Sequence, residues 1–161
     1  MSKKELLKQY LNRYNKAKNR IKELEALQKQ LRRDAGCPKS PSDSTSPKVQ
    51  SNSISGGAAE FALRIVEIDE RIARQKVQLS TLLSEILDVF DYLPLESDER
   101  AVLELRYIQD KREKFICKTR YISRSKYYAL CDSAIKKLLK YQRINNILKK
   151  YSEELKRFET E

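Results

Sequence analysis

Two stretches of the chain place an apolar or compatible residue at alternating three- and four-residue steps. In the first, the series is Leu7, Tyr10, Tyr14, Ala17, Ile21, Leu24, Gln28 and Leu31. In the second it is Phe61, Ile65, Ile68, Ile72, Gln75, Leu79, Leu82, Ile86 and Val89. This is the spacing of a heptad seam, which lines one side of an α-helix. It predicts a helix over residues 1–34 and a second over 59–93. Gln28 and Gln75 are the polar interruptions, of the kind that fixes register between paired helices. Between the helices, residues 35–58 hold Pro38, Pro41, Pro47, many serines and the pair Gly56–Gly57, the composition of a flexible linker. Linkers of this length are uncommon inside compact domains. A helix with one apolar stripe needs a partner. The similar lengths of the two helices, one basic and one acidic, favour an antiparallel hairpin; pairing with a second subunit is the open alternative.

Pro94 ends the second helix. Ser97 is then a suitable N-cap, with Asp98 and Glu99 in the first turn, where carboxylates complement the helix dipole. The helix it starts runs to about Ile108, with Val102, Leu105 and Ile108 on one face. A short helix follows near Arg112 to Arg120, then a tight connection at Tyr121–Ile122. Ser123 caps a further helix whose inward positions are Tyr127, Leu130, Cys131, Ala134 and Leu138. Asn145–Asn146 weaken that helix, and Leu148, Tyr151, Leu155 and Phe158 continue as an amphipathic tail over 144–161. No stretch alternates with period two, so the expected fold is all-α: a long helical hairpin followed by a helix-turn-helix over 94–143.

Charge sharpens this picture. The formal charge is +11. Residues 111–143 carry eleven bases and two acids, a balance of +9, whereas residues 59–96 carry four bases and eight acids, a balance of −4. Such segregation suits a polyanionic partner better than general solubility. Short helix, tight turn and capped basic helix are the outline of a module that lays one helix in the major groove of DNA. The candidate DNA-binding residues are Arg124, Ser125, Lys126, Tyr128 and Ala129 in the first turns of that helix, with Lys118, Arg120 and Lys136 around them. The outward face continues through Asp132. The bland alternative is a three-helix bundle with a solvated basic surface.

The segments "ESDERAVLELRYI" and "FICKTRYISRSKYYALCDSAIKKL" resemble region four of bacterial sigma factors. They are closer still to phage transcriptional regulators of the ArpU/RinA type. Arg100, Val102, Leu103, Leu105, Arg106 and Tyr107 carry the first half of the likeness, and Ile116, Ser123, Tyr128, Ala134 and Leu138 the second. Two positions depart from the pattern. Arg120 stands where a leucine is usual, and Tyr121 where the turn usually has a small residue or glycine. A bulky side chain in a left-handed turn is costly, so the turn is either remodelled or shifted in register. The resemblance implies a phage or prophage regulator that binds double-stranded DNA to control transcription. Contact with RNA polymerase stays open, and a homodimer or higher homo-oligomer is the expected assembly.

Other classes fit less well. There is no histidine, no Cys-x-x-Cys pair and no nucleotide-binding fingerprint, so no catalytic residue, metal or cofactor is assigned. Cys37, Cys117 and Cys131 suit reduced thiols in a bacterial cytoplasm, with Cys117 read as a small buried apolar residue. No apolar run is long enough to span a membrane. Two non-enzymatic alternatives remain: a phage DNA-packaging recognition subunit, and a coiled-coil interaction protein that does not bind DNA.

Overall fold

The computed structural model describes residues 2–36 and 54–159, and side-chain surroundings for 2–35 and 59–157. Most of the linker expected over 35–58, and Cys37 with it, lies outside the described residues. Every regular element among the described residues is an α-helix. In chain order these are α1 (Lys3–Leu11), α2 (Arg13–Gly36), α3 (Ile54–Phe90), α4 (Asp98–Tyr107), α5 (Glu113–Arg120), α6 (Arg124–Leu138) and α7 (Gln142–Glu159). The fold is all-α, as the periodicity predicts.

The first predicted helix is divided at Asn12, whose ψ of −5° flattens the turn. Hydrogen bonds still run through the junction, from Asn12 N to Lys8 O and from Lys16 N to Asn12 O, both 3.1 Å. Ser2 starts α1 with a capping box, accepting from Glu5 N and donating its own N–H to the Glu5 carboxylate. This closes two otherwise unpaired donors.

The chain packs as two compact units, one within Met1–Lys18 and Leu79–Glu161, the other within Asn19–Gln78. In the Asn19–Gln78 unit, α2 and α3 run antiparallel. Glu25 accepts from Lys76 at 2.9 Å, Gln28 donates to Asp69, and Arg32 lies 3.5 Å from the same carboxylate. The pairing joins basic α2 to acidic α3. Ile21, Leu24 and Ile72 are buried along the seam, while Leu31, Phe61, Ile65, Ile68 and Gln75 are half-buried.

In the other unit, the buried residues of the main core come from α1, α3, α4, α6 and α7, with Tyr14 of α2 packed against them. Leu7 and Leu11 of α1 meet Ile86, Val89 and Phe90 at the end of α3, Leu103 and Tyr107 of α4, Ala134, Ile135 and Leu138 of α6, and Ile144 and Leu148 of α7. Full burial of a large apolar side chain contributes about 1.5–3 kcal/mol, so this cluster dominates the unit's stability. The segmentation read from sequence places 94–143 and 144–161 side by side as separate pieces; the packing joins both with α1 and the end of α3 in one core. The break before α7 also falls earlier than Asn145–Asn146. α6 ends at Leu138, and Asn145 Nδ2 donates to the carbonyls of Leu139 and Tyr141 at 2.9 and 3.1 Å. Asn145 thus closes the turn that precedes it instead of weakening a helix.

Arg100 fastens α4 to the end of α3. Its guanidinium reaches Asp91 at 2.9 Å, Glu104 at 2.8 Å and the Leu93 carbonyl at 3.4 Å. These acceptors hold it above the ordinary arginine range, Glu104 most strongly.

Candidate nucleic-acid interface

Helices α4, α5 and α6 form a trihelical module. Ser97 Oγ accepts from Arg100 N and Ser123 Oγ from Lys126 N, each at 3.2 Å, so both expected caps are in place. Val102, Ile116 and Tyr127, one from each helix, make a small buried cluster, with Leu105, Cys117, Ile122, Leu130 and Cys131 packed around it. Cys117 is half-buried there, consistent with its reading as an apolar filler. The Tyr127 hydroxyl accepts from Arg106 of α4, and burial pushes its pKa up to about 12. Glu99 of α4 accepts from Lys137 at 2.7 Å and from Ser133 Oγ at 2.8 Å on α6, and these two, Lys137 first, hold its carboxyl below the usual range. The angle between α4 and α6 is therefore set by both apolar and ionic contacts.

The turn between α5 and α6 is left-handed at Tyr121, with φ 53° and ψ 41°. The departure noted in sequence does not remodel the turn. Tyr121 N and Ile122 N both donate to Cys117 O, which closes the helix end, and the Tyr121 ring projects almost wholly into solvent. Such an end normally selects glycine because a Cβ crowds the backbone.

With Tyr127 buried, the first two turns of α6 present Arg124, Ser125, Lys126, Tyr128 and Ala129, all exposed. The structure brings these five together on one surface. Two of them are tethered. Arg124 Nε lies 2.7 Å from Glu113 Oε1, and the Tyr128 hydroxyl donates to Glu113 Oε2 at 2.6 Å. The Arg124 guanidinium also stands over the Tyr128 ring, 5.8 Å from its centroid. Glu113 is thus a part of the surface that sequence reasoning missed; its signal was that it is one of two acids in a run of eleven bases.

The outer candidates are placed differently. Lys118 is exposed on α5. Arg120 pairs with Asp98 of α4 at 2.6 Å. Lys136 pairs with Asp132 at 2.7 Å and sits about 18 Å along the helix from Arg124 at the usual rise per residue. Asp132 also accepts from Lys4 of α1 at 2.9 Å, and the two lysines, Lys136 first, hold it down at about 2. The face that continues through Asp132 in sequence is therefore engaged with α1, and the open surface ends near Ala129. Lys111 and Arg112 just before α5, and Lys114 and Phe115 in its first turn, are exposed and were not among the candidates. Lys111 lies 4.9 Å from the Phe115 ring centroid.

A profile of a family described as a protein of unknown function, DUF1492, matches residues 43–139, more than half of the chain. The chain belongs to that family. The matched span takes in α3 and the whole trihelical module. No curated protein and no solved structure matches the chain. Among the described residues, no helix is long and apolar enough to cross a membrane.

Proposed function

We propose that this protein is a sequence-specific double-stranded DNA-binding regulator of transcription, of phage or prophage type, acting in the bacterial cytoplasm. The observation that carries the reading is the exposed start of α6, where Arg124, Ser125, Lys126, Tyr128 and Ala129 stand clear of the core beside the basic start of α5. A helix presented by its N-terminal turns is the geometry that reaches base edges in the major groove. Glu113 holds Arg124 and Tyr128 in place before DNA arrives. This reduces the side-chain ordering that binding would otherwise require. The reading is of a binding protein, not an enzyme, and assigns no cofactor.

We further propose that it acts as a homodimer. Besides its seam, α3 exposes Leu63 and Val66, at 66% and 53% of their surface, and α2 exposes Leu27 at 45%. Apolar residues on a second face of a hairpin helix favour a second copy as cover.

The deciding experiment is a binding titration of the full chain against a selected site and a scrambled duplex. Arg124→Ala is expected to weaken binding to both. Tyr128→Ala is expected to narrow the gap between them, by about 1–3 kcal/mol for a lost base contact. Lys149→Ala, on α7, serves as the control. Parent-like binding of both α6 variants to both duplexes would remove the helix-turn-helix reading.

A further inference from the structure

Besides the seam that meets α2, α3 carries a second stripe. Leu63, Val66, Glu70, Ala73 and Val77 follow one another at alternating three- and four-residue steps. At the pitch of an α-helix this stripe lies on the side of α3 away from Ile65, Ile68 and Ile72. All five residues are exposed, Leu63, Val66 and Val77 at 66%, 53% and 68%. All five belong to the Asn19–Gln78 unit. Apolar residues repeated at heptad spacing on an open helix face fit the seam of another helix.

The charges beside the stripe say which helix, and in which direction. On one flank stand Asp69 and Lys76, both held by α2: Asp69 by Gln28 and Arg32, Lys76 by Glu25. On the other flank stand Glu67 and Arg74. Both are exposed, and neither makes an ion pair among the described residues. They occupy the same position in successive heptads and have opposite sign. When two copies of a helix pair antiparallel, such a position faces its own equivalent. Glu67 of each copy then meets Arg74 of the other, twice by two-fold symmetry. The same register sets Val66 against Val77 of the second copy and Glu70 against the small Ala73. In parallel copies Glu70 would face Glu70 in the middle of the seam, where like charges repel. Glu67 would face Ala62, and Arg74 would face Asp69, which α2 already holds.

We propose that two copies pair through this stripe with their α3 helices antiparallel, in the register that sets Glu67 of each against Arg74 of the other. The proposal rests on the homodimer reading above and adds its interface and its orientation. The interface shares no residue with the α6 surface, so pairing and DNA contact can be varied separately.

The test is sedimentation equilibrium of the full chain at low salt. The parent is compared with E67R, R74E, the double variant E67R/R74E, and an equal mixture of E67R and R74E. Both positions are exposed, so the fold tolerates the changes. Each single variant turns two attractions into two repulsions and should weaken the dimer about tenfold. The double variant and the mixture each recreate both opposite-charge pairs and should return to parent-like affinity. Parallel pairing gives another pattern: E67R stays parent-like, and the double variant is as weak as R74E. That result overturns the orientation and leaves the dimer standing. Parent-like association of every variant would remove the stripe from the interface. A monomeric parent would overturn the dimer itself, and the orientation with it.

Discussion

Tyr121 holds a left-handed backbone with its ring in water, so it bears the steric cost of that conformation without compensating contacts. Tyr121→Gly is expected to stabilise the protein by about 1 kcal/mol, read as a higher melting temperature. A lower melting temperature would mean that the ring makes contacts the free protein depends on. Ser123, two residues further on, satisfies Lys126 N, and its replacement by alanine should cost about 1 kcal/mol. Tyr127 gives a pH signature. Its hydroxyl titrates near 12 in the folded protein, against about 10 in an unfolded chain. Stability from this group is therefore complete below pH 10 and is lost as the pH rises from about 10 to 12. Tyr127→Phe should be less stable at neutral pH and lose less over that alkaline interval, measured by denaturant titration at several pH values. Equal alkaline losses in both proteins would assign the effect to other tyrosines, of which Tyr10 is also pushed up to about 12 by burial.

At the scale of elements, α5 and α6 are joined across the open surface by Glu113. Glu113→Gln removes a negative charge and weakens the hold on Arg124. Affinity for scrambled duplex is expected to rise and discrimination against it to fall, in the titration that tests α6 itself. The helices and their caps were legible in the sequence because they rest on local rules. Seam residues repeat in heptads, and Ser97 and Ser123 precede apolar-periodic runs, so their roles follow from spacing alone. The candidate surface was legible in its first two turns, where Arg124, Ser125, Lys126, Tyr128 and Ala129 are all exposed, although the tether that Glu113 makes to Arg124 and Tyr128 was not. The partners of Asp132 and Arg120, Lys4 and Asp98, could not be read from the sequence because they are 128 and 22 positions away. The same holds for α7. Its amphipathic pattern announces a buried face, but not that Ile144 and Leu148 bury it against α1. Asn15, buried with its Nδ2 on the Arg106 carbonyl, could not be singled out at all, because that contact spans 91 positions of sequence.

For the molecule as a whole, the charge asymmetry predicts a steep salt dependence. Each phosphate neutralised contributes a slope of about 0.9 in log K against log salt, so contacts by both α5 and α6 should give a slope of several. An affinity that hardly changes between low and physiological salt would remove the electrostatic part of the DNA reading. Self-association is checked by sedimentation of the full chain. A dimer that dissociates in Leu63→Glu and Val66→Glu is expected, and a monomeric parent would end that proposal. The unit built on α1 and α7 has a consequence for synthesis of the protein. Leu11 and Ile144, which share its core, are 133 positions apart in the chain. At about 5–20 residues per second, the ribosome leaves the apolar face of α1 without α7 for roughly ten seconds. During that time Leu7, Tyr10 and Leu11 are available to chaperones or to other nascent chains. Chains stalled on the ribosome at residue 141 should therefore bind holdase chaperones and be cut by protease near α1, whereas chains released at full length should resist both.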